Sequence, residues 1–336
     1  MKKQFGLSLV ELMIAMAIGL VVSGAVMVLF LTNIKTNQTQ DNMARLQENA
    51  RFALIKMQTD IRQAGYRGCL GRKGAAPSSA TTSVNNVITG FGYKDNLAMP
   101  VEGFYGEAAW TPALDASISA VAPTPTVGSD VITVRMGVGT GVPLTAVMAN
   151  GSANISIAAN TDGLAVGDTA LIADCVASTV FSVTTIAATS ISHAVGSNAT
   201  ADLGRAFGTD AVVMPISTIT YYVGASSDLT GGLSLWRKTN GNASEELADN
   251  VEKLKILYGE DTNGDLSPDK YVTANNVTDM NDVVAVKLML LTRTSDDNLS
   301  ANGQSYTFNG APAITPTDKR IRRTFTLVTT IRNRAA

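Results

Sequence analysis

The run from Leu7 to Leu31 is almost wholly apolar and carries a single charge, Glu11. About 25 residues of helix rise roughly 37 Å, enough to cross a bilayer core with some tilt. Lys2 and Lys3 precede the run and the next cation is Lys35, so the positive-inside rule keeps the start of the chain cytoplasmic and sends the rest outward. The expectation is a single-pass anchor with an external body.

Glu11 is costly in that setting. Insertion scales put an ionised side chain in mid-span at about 3 kcal/mol, and such residues are functional candidates by default. Either the carboxylate lies shallow enough to reach head groups, or a cation answers it. A secretory signal would share the basic start and apolar core, with Ser23-Gly24-Ala25 as a small-residue cleavage site. Residues 26–31 continue the run, however, and a cut after Ala25 would leave an apolar stub. A plain anchor explains the length but not Glu11. Ala15, Gly19 and Ser23, spaced by four, form a small-residue stripe of the kind that lets apolar helices approach closely.

Past the span the helical pattern persists. Residues 32–64 contain no Pro or Gly, and Met43, Leu46, Ala50, Ala53 or Leu54, Met57 and Ile61 recur every three or four residues as one apolar stripe. Gly65 offers the stop. A single helix of nearly 60 residues, roughly 90 Å long, is therefore expected. Its heptads are too few and irregular for a sustained coiled coil.

The remainder reads as β structure. Between Trp110 and Thr200 the charged residues are Asp115, Asp130, Arg135, Asp162, Asp168 and Asp174, set among Ala, Thr, Ser, Val and Gly. Short apolar runs at 131–134, 169–173 and 180–185, separated by turn dipeptides such as Asp162-Gly163, predict strands. Pro123 and Pro125 break residues 122–126, where partial disorder is the alternative. Later strands are expected at 219–223, 232–237, 251–258, 283–292 and 324–331, with alternation clearest in Phe325, Leu327, Thr329 and Ile331. The fold class is α+β: a long N-terminal helix, half membrane-spanning and half amphipathic, packed on an antiparallel sheet body with a large β-rich insertion. No period of 20–50 residues repeats, which sets aside solenoids and propellers. The expected boundaries are 1–6 for a leader, 7–31 for the spanning half, 32–66 for the amphipathic half and 67–336 for the body.

The chain carries two cysteines, Cys69 and Cys175, both in the part expected outside the cytoplasm. A disulfide between them is expected, with two buried free thiols as the alternative. Together with the single His193 they do not make a tetrahedral metal set, and no CxxC or HExxH spacing occurs. One stretch resembles ligand chemistry. In residues 261–269, Asp261, Asn263, Asp265 and Asp269 place oxygens at relative positions one, three, five and nine, a spacing that can fold around Ca²⁺. Leu266 at position six and Val272 at position twelve depart from an EF-hand, and a polar turn explains the same residues.

Catalytic patterns are missing. His193 has no motif around it and is expected on the surface or in a core. The stretch 137–141, rich in Gly, precedes Pro143 rather than a helix and reads as a flexible loop, not a phosphate cradle. Net charge is −2, so bulk electrostatics do not point to nucleic acid. Lys319, Arg320, Arg322 and Arg323 are expected to be a solvated strand edge that discourages aggregation, with a nucleic-acid or anionic-surface role as the alternative. No enzyme activity, certain cofactor or nucleic-acid partner is expected.

Gly6-Leu7-Ser8-Leu9-Val10-Glu11-Leu12 resembles the class III signal of type IV pilins and pseudopilins. In that superfamily prepilin peptidase cuts after the Gly and the new terminal residue is methylated, which implies Gly6 as the last leader residue and Leu7 as the new amine. The family's fifth mature residue is Glu, and Glu11 falls on it; the first is commonly Phe, and here it is Leu7. The resemblance supplies a partner for Glu11: a terminal amine on a neighbouring subunit can neutralise it where neither charge is stable alone.

Further segments resemble the PilW family of type IV pilus minor pilins. These are Ala173-Asp174-Cys175, Val180-Phe181-Ser182-Val183-Thr184, Thr220-Tyr221-Tyr222-Val223, Leu233-Ser234-Leu235-Trp236-Arg237, residues 251–258 leading into Gly259-Glu260-Asp261, and the stretch from Arg322-Arg323-Thr324-Phe325 to Arg332-Asn333. The resemblance implies a minor pilin that joins other minor pilins, the major pilin and a tip adhesin in a priming complex. It would sit in the inner membrane before assembly, with its body periplasmic, and afterwards at the pilus tip. The alternatives are a large minor pseudopilin of type II secretion, or a tip-exposed adhesin or DNA-uptake module.

Overall fold

The structure, a computed structural model, describes residues 8–70, 84–228 and 231–334. It is α+β: one long apolar helix leads into an antiparallel-rich sheet body. Helix α1 (Leu9–Gln63) runs 55 residues without a break, roughly 80 Å at 1.5 Å per residue. It ends as the Gly at 65 predicts. Gly65 adopts φ +75°, a left-handed value costly to other residues, and its N–H donates to the Arg135 carbonyl at 2.8 Å.

The body begins with β1 (Val84–Asn86), β2 (Val101–Gly106), β3 (Trp110–Thr111), the short helix α2 (Ala116–Ser119) and β4 (Val131–Gly137). Next come β5 (Val142–Pro143), β6 (Ile155–Ser156), β7 (Thr169–Ala173), β8 (Ser178–Ser182), β9 (Thr185–Ala187) and β10 (Ser190–Ser192). The last third holds β11 (Val212–Ala225), β12 (Leu233–Thr239), β13 (Glu245–Ala248), β14 (Val251–Glu260), β15 (Lys270–Val272), β16 (Val283–Arg293) and β17 (Arg322–Thr330).

A four-stranded sheet in the order β15-β14-β16-β17 lies on the outer half of α1, and a ten-stranded sheet contacts it through β4, β11 and β12 against β14. Strand β11 joins the two regions of the larger sheet. Its first residues pair with β7 and β5, and its later ones with β4 and β12. The insertion is thereby welded to the body along one continuous strand. The β1–β8 pair is parallel, whereas the other strand pairs described are antiparallel.

The two largest of the apolar clusters among the described residues form the cores. In the first, Ala53, Leu54, Met57 and Ile61 of α1 pack on Leu254, Ile256, Val286, Leu288 and Leu290. In the second, the insertion closes on itself around Val142, Leu144, Ile155, Phe181, Ile191, Phe207 and Val213. Residues 122–126 are ordered, against the alternative of disorder: Pro125 bridges to Gly224, and Thr126 N–H donates to the Val223 carbonyl at 2.7 Å. The two prolines are accommodated because that stretch borders β11 at the sheet margin, where a missing donor costs little.

Candidate functional site

Gly6 and Leu7 lie outside the described residues; Ser8 and Glu11 open the described helix. The Ser8 Oγ accepts from the Glu11 N–H at 3.1 Å, and the Ser8 N–H donates to Glu11 Oε2 at 3.1 Å. This reciprocal pair is a capping box, and it satisfies two donors that the first turn cannot bond internally. The carboxylate also sits at the positive end of the helix dipole. The sequence reading gives Ser8 no role, although its Ser-x-x-Glu spacing carries the signal.

From Leu9 to Leu31 the large side chains stand exposed, and none of the apolar window is buried against the body. An added Cβ at Gly19 or Gly24 would meet nothing within 4 Å, so these positions leave low, open ground on the helix surface. An apolar helix that its own chain leaves uncovered belongs in lipid or against other helices.

Two buried polar residues on the inner face of α1, both off the predicted apolar stripe, fasten the helix to the body. Near the base of the body, Asn42 Oδ1 accepts from the Asp296 N–H at 3.2 Å and the Ser295 hydroxyl at 3.1 Å, while its Nδ2 donates to Asp296 Oδ2 at 2.9 Å. At the far end, Asp60 Oδ2 accepts from the Tyr221 hydroxyl at 2.5 Å and from Arg237 Nε at 3.2 Å. Burial, with the Asp60 carboxylate beside it, pushes the Tyr221 phenol well above its usual range. Burial without partners would penalise either group, and only tertiary contacts reveal that both are satisfied. On the opposite helix face Phe52 and Ile55 remain exposed, at 56% and 49%.

Cys69 and Cys175 form a disulfide, with Cα atoms 5.0 Å apart. It ties the segment just beyond α1 to the turn between β7 and β8.

The residues of the calcium candidate fall in the loop between β14 and β15. Asp261 Oδ1 accepts from the Gly264 N–H at 2.7 Å and Asp261 Oδ2 from the Leu266 N–H at 3.0 Å. Asp269 Oδ2 accepts from the Thr262 N–H and hydroxyl, both at 2.7 Å, and Asn263 Nδ2 donates to Asp269 Oδ1 at 2.9 Å. Asp265 Oδ1 accepts from the Ser267 N–H at 2.8 Å. The oxygens thus answer the loop's own donors, as a polar turn requires. Among the described residues no three or more His, Cys, Asp or Glu side chains group to hold a metal ion.

His193 is buried at 2% exposure, its Nε2 2.9 Å from the Ala153 carbonyl and its ring edge-on to Phe181. The stretch 137–141 is tied down: Asp162 accepts from the Gly141 N–H at 2.7 Å and the Thr140 hydroxyl at 3.2 Å. The basic cluster needs correction. Arg322 is buried, bonding Glu252 at 2.8 Å through Nε and Nη2 and Asp318 at 2.7 Å through Nη1 and Nη2. Arg320 Nη1 donates to the Thr294 and Ser295 carbonyls. Two of the four cations are therefore spent on the body: Arg322 because Glu252, distant in sequence, and Asp318, four residues before it, converge on it, and Arg320 on backbone carbonyls. The Arg322 guanidinium beside Asp318 holds that carboxyl at about 2.

An exposed apolar helix headed by one carboxylate, carrying a β body on its outer half, is the layout of the type IV pilin-like class and suits a membrane anchor. Two family models match parts of the chain. The family model described as "Prokaryotic N-terminal methylation motif" matches residues 1–27. The model described as "Type IV Pilus-assembly protein W" matches residues 220–333, the stretch from mid-β11 through β17. The two matches, one at the start of the chain and one over its last third, support a PilW-type minor pilin, and the pilin family is structural. No curated protein matches it. Among solved structures, a type IV-like pilin from Thermus thermophilus aligns over 87% of this chain and 100% of its own, at 11% identity and a TM-score of 0.33. The methylation motif implies processing by prepilin peptidase and partnership with pilus components.

Proposed function

We propose that this protein is a minor pilin of the type IV pilus, a structural subunit of the priming complex that initiates assembly and then sits at the tip. The observation that carries the reading is Glu11: one carboxylate heading a helix that its own chain leaves uncovered. Within a bilayer the capping box gives that charge hydrogen bonds but no counter-charge, and a cation on another chain would complete it. In this reading prepilin peptidase cuts between Gly6 and Leu7, and the amine of a neighbouring subunit meets Glu11. Residues 7–31 stay in the inner membrane until assembly, residues 32–66 support the body, and the body from residue 67 onward is periplasmic. The other minor pilins, the major pilin and a tip adhesin are its partners.

Glu11→Ala is the test. The variant should reach the membrane and be processed to the same mature mass as the parent, while surface piliation falls. Normal piliation by Glu11→Ala would show that the carboxylate is not a docking group.

A further inference from the structure

One edge of the sheet that lies on α1 is open beyond its first residue, Arg322, whose N–H donates to Gln304 Oε1 at 2.9 Å. Strand β17 pairs with β16 over nine residues without a bulge, and among the described residues no strand lies on its other side. Residues 324–331 hold no charge, proline or glycine, and Thr324, Thr326, Val328 and Thr330 are exposed. Proteins commonly block such an edge with charges, proline, bulges or a covering element, because its free N–H and C=O groups are a template for another strand. Here Arg322 and Arg320 are turned into the body, which leaves Arg323 and Lys319 exposed at the start of the strand. The opposite edge differs. Strand β15 is three residues long, opens on Lys270 and follows Pro268 and Asp269.

The direction of the open edge relative to the membrane also follows. Asn42 holds Ser295 and Asp296, just past the end of β16, where Arg293 lies opposite Arg322. At the other end Arg332 N–H donates to the Arg62 carbonyl at 3.0 Å, and Asn333 Nδ2 to the Ala64 carbonyl at 3.1 Å. Strand β17 therefore ascends beside α1, away from the span; about twenty helical residues and nine strand residues each cover roughly 30 Å. Two copies anchored through the same helix both present ascending strands. Antiparallel pairing of β17 with its own symmetry mate needs one strand to descend, which a shared membrane forbids.

We propose that the β17 edge takes up a strand of a different pilin-like subunit, running toward the membrane, so that the four-stranded sheet continues into its neighbour. Backbone hydrogen bonds would supply the affinity, and the alternating Thr and Val side chains the register. The proposal rests on the chain being a pilus assembly subunit, and it adds which element meets the neighbour and in which direction.

Photo-crosslinking residues placed singly at Thr326, at Tyr271 and at Val21 of the full-length chain, in membranes of cells that build the filament, test it. At Thr326 the expected adduct is a protein bearing its own N-terminal methylation motif, joined through an extended segment; Tyr271 on the opposite edge should give far less. Val328→Lys should cut the Thr326 adduct about tenfold, with the Val21 adduct unchanged. A silent Thr326 with adducts at Val21, an adduct to a second copy of this chain, or indifference to Val328→Lys would overturn the shared sheet and leave the assembly reading standing. Silence at Val21 as well would overturn both.

Discussion

Asp60 joins the far end of α1 to the sheet, and its removal should unfasten the helix from the body. In Asp60→Ala the Tyr221 hydroxyl, fully buried, loses its acceptor at 2.5 Å, and Arg237 loses its Nε partner at 3.2 Å while keeping Glu245 at 2.8 Å. A buried hydroxyl left without a partner costs about 1–3 kcal/mol, and a charge-assisted bond is worth about 1.5–3 kcal/mol. With Arg237 retaining one carboxylate, the loss should be about 3–4 kcal/mol, a large share of a total near 5–15 kcal/mol. Asp60→Asn keeps an acceptor oxygen for Tyr221 and should lose about half as much. Tyr221→Phe removes one bond and should cost about 1–2 kcal/mol. The double variant should fall short of the sum by about 1 kcal/mol, because both changes delete the same contact. Urea unfolding of the full chain in detergent, followed by the fluorescence of Trp236 next to Arg237, measures all four. A loss under about 1 kcal/mol for Asp60→Ala, or strict additivity, would refute the claim that this contact holds the helix.

Replacing Cys69 and Cys175 together by Ser opens a loop of 106 residues in sequence separation, which should lower stability by about 4–5 kcal/mol; denaturation midpoints equal to the parent would contradict it. Asp318 sets a pH limit. Its carboxyl drops from 3.8 to about 2 through the Arg322 hydrogen bonds, so the native state favours the charged form. That contribution is complete above about pH 4 and disappears as pH falls through about 2; the difference is worth roughly 2 kcal/mol. Asp318→Asn should flatten the acid limb of the stability profile, and superimposable acid limbs would refute the assignment.

Helix α1 was legible because its signals are local and redundant: no breaker across residues 32–64, a stripe at helical spacing, and Gly65 in the one conformation that suits a stop. The late strands were equally legible, since alternation in β17 and the apolar-rich runs of β14 and β16, broken by Lys253 and Lys255 in the one and Lys287 in the other, read as strands of a buried sheet. Long-range charge pairing was not. Arg322 reads as a surface cation until Glu252 and Asp318 are seen to converge on it, and Asp60 draws no notice until Tyr221 and Arg237 arrive from strands 161 and 177 positions away. The loop at 261–269 shows the converse limit. Oxygen-rich spacing cannot distinguish a cation cage from a turn, because both select Asp, Asn and Gly at close intervals.

The two fastenings of α1 also bear on how the proposed assembly would work. A body held only at one end could swing, and the direction of its strands relative to the membrane would be undefined. Asn42 near the base and Asp60 near the far end hold the sheet along about 18 residues of helix, or roughly 27 Å. A change in tilt or rotation of the spanning half would then, in the proposed complex, be carried to the β17 edge with the body. In the proposed complex, an amine meeting Glu11 fixes the axial level of one helix against another. The stiff helix would transmit that level to the edge strands, where a slip of one residue turns every side chain to the wrong face. Docking in the membrane and strand register outside it thus constrain each other, so that a neighbour must satisfy both to be admitted.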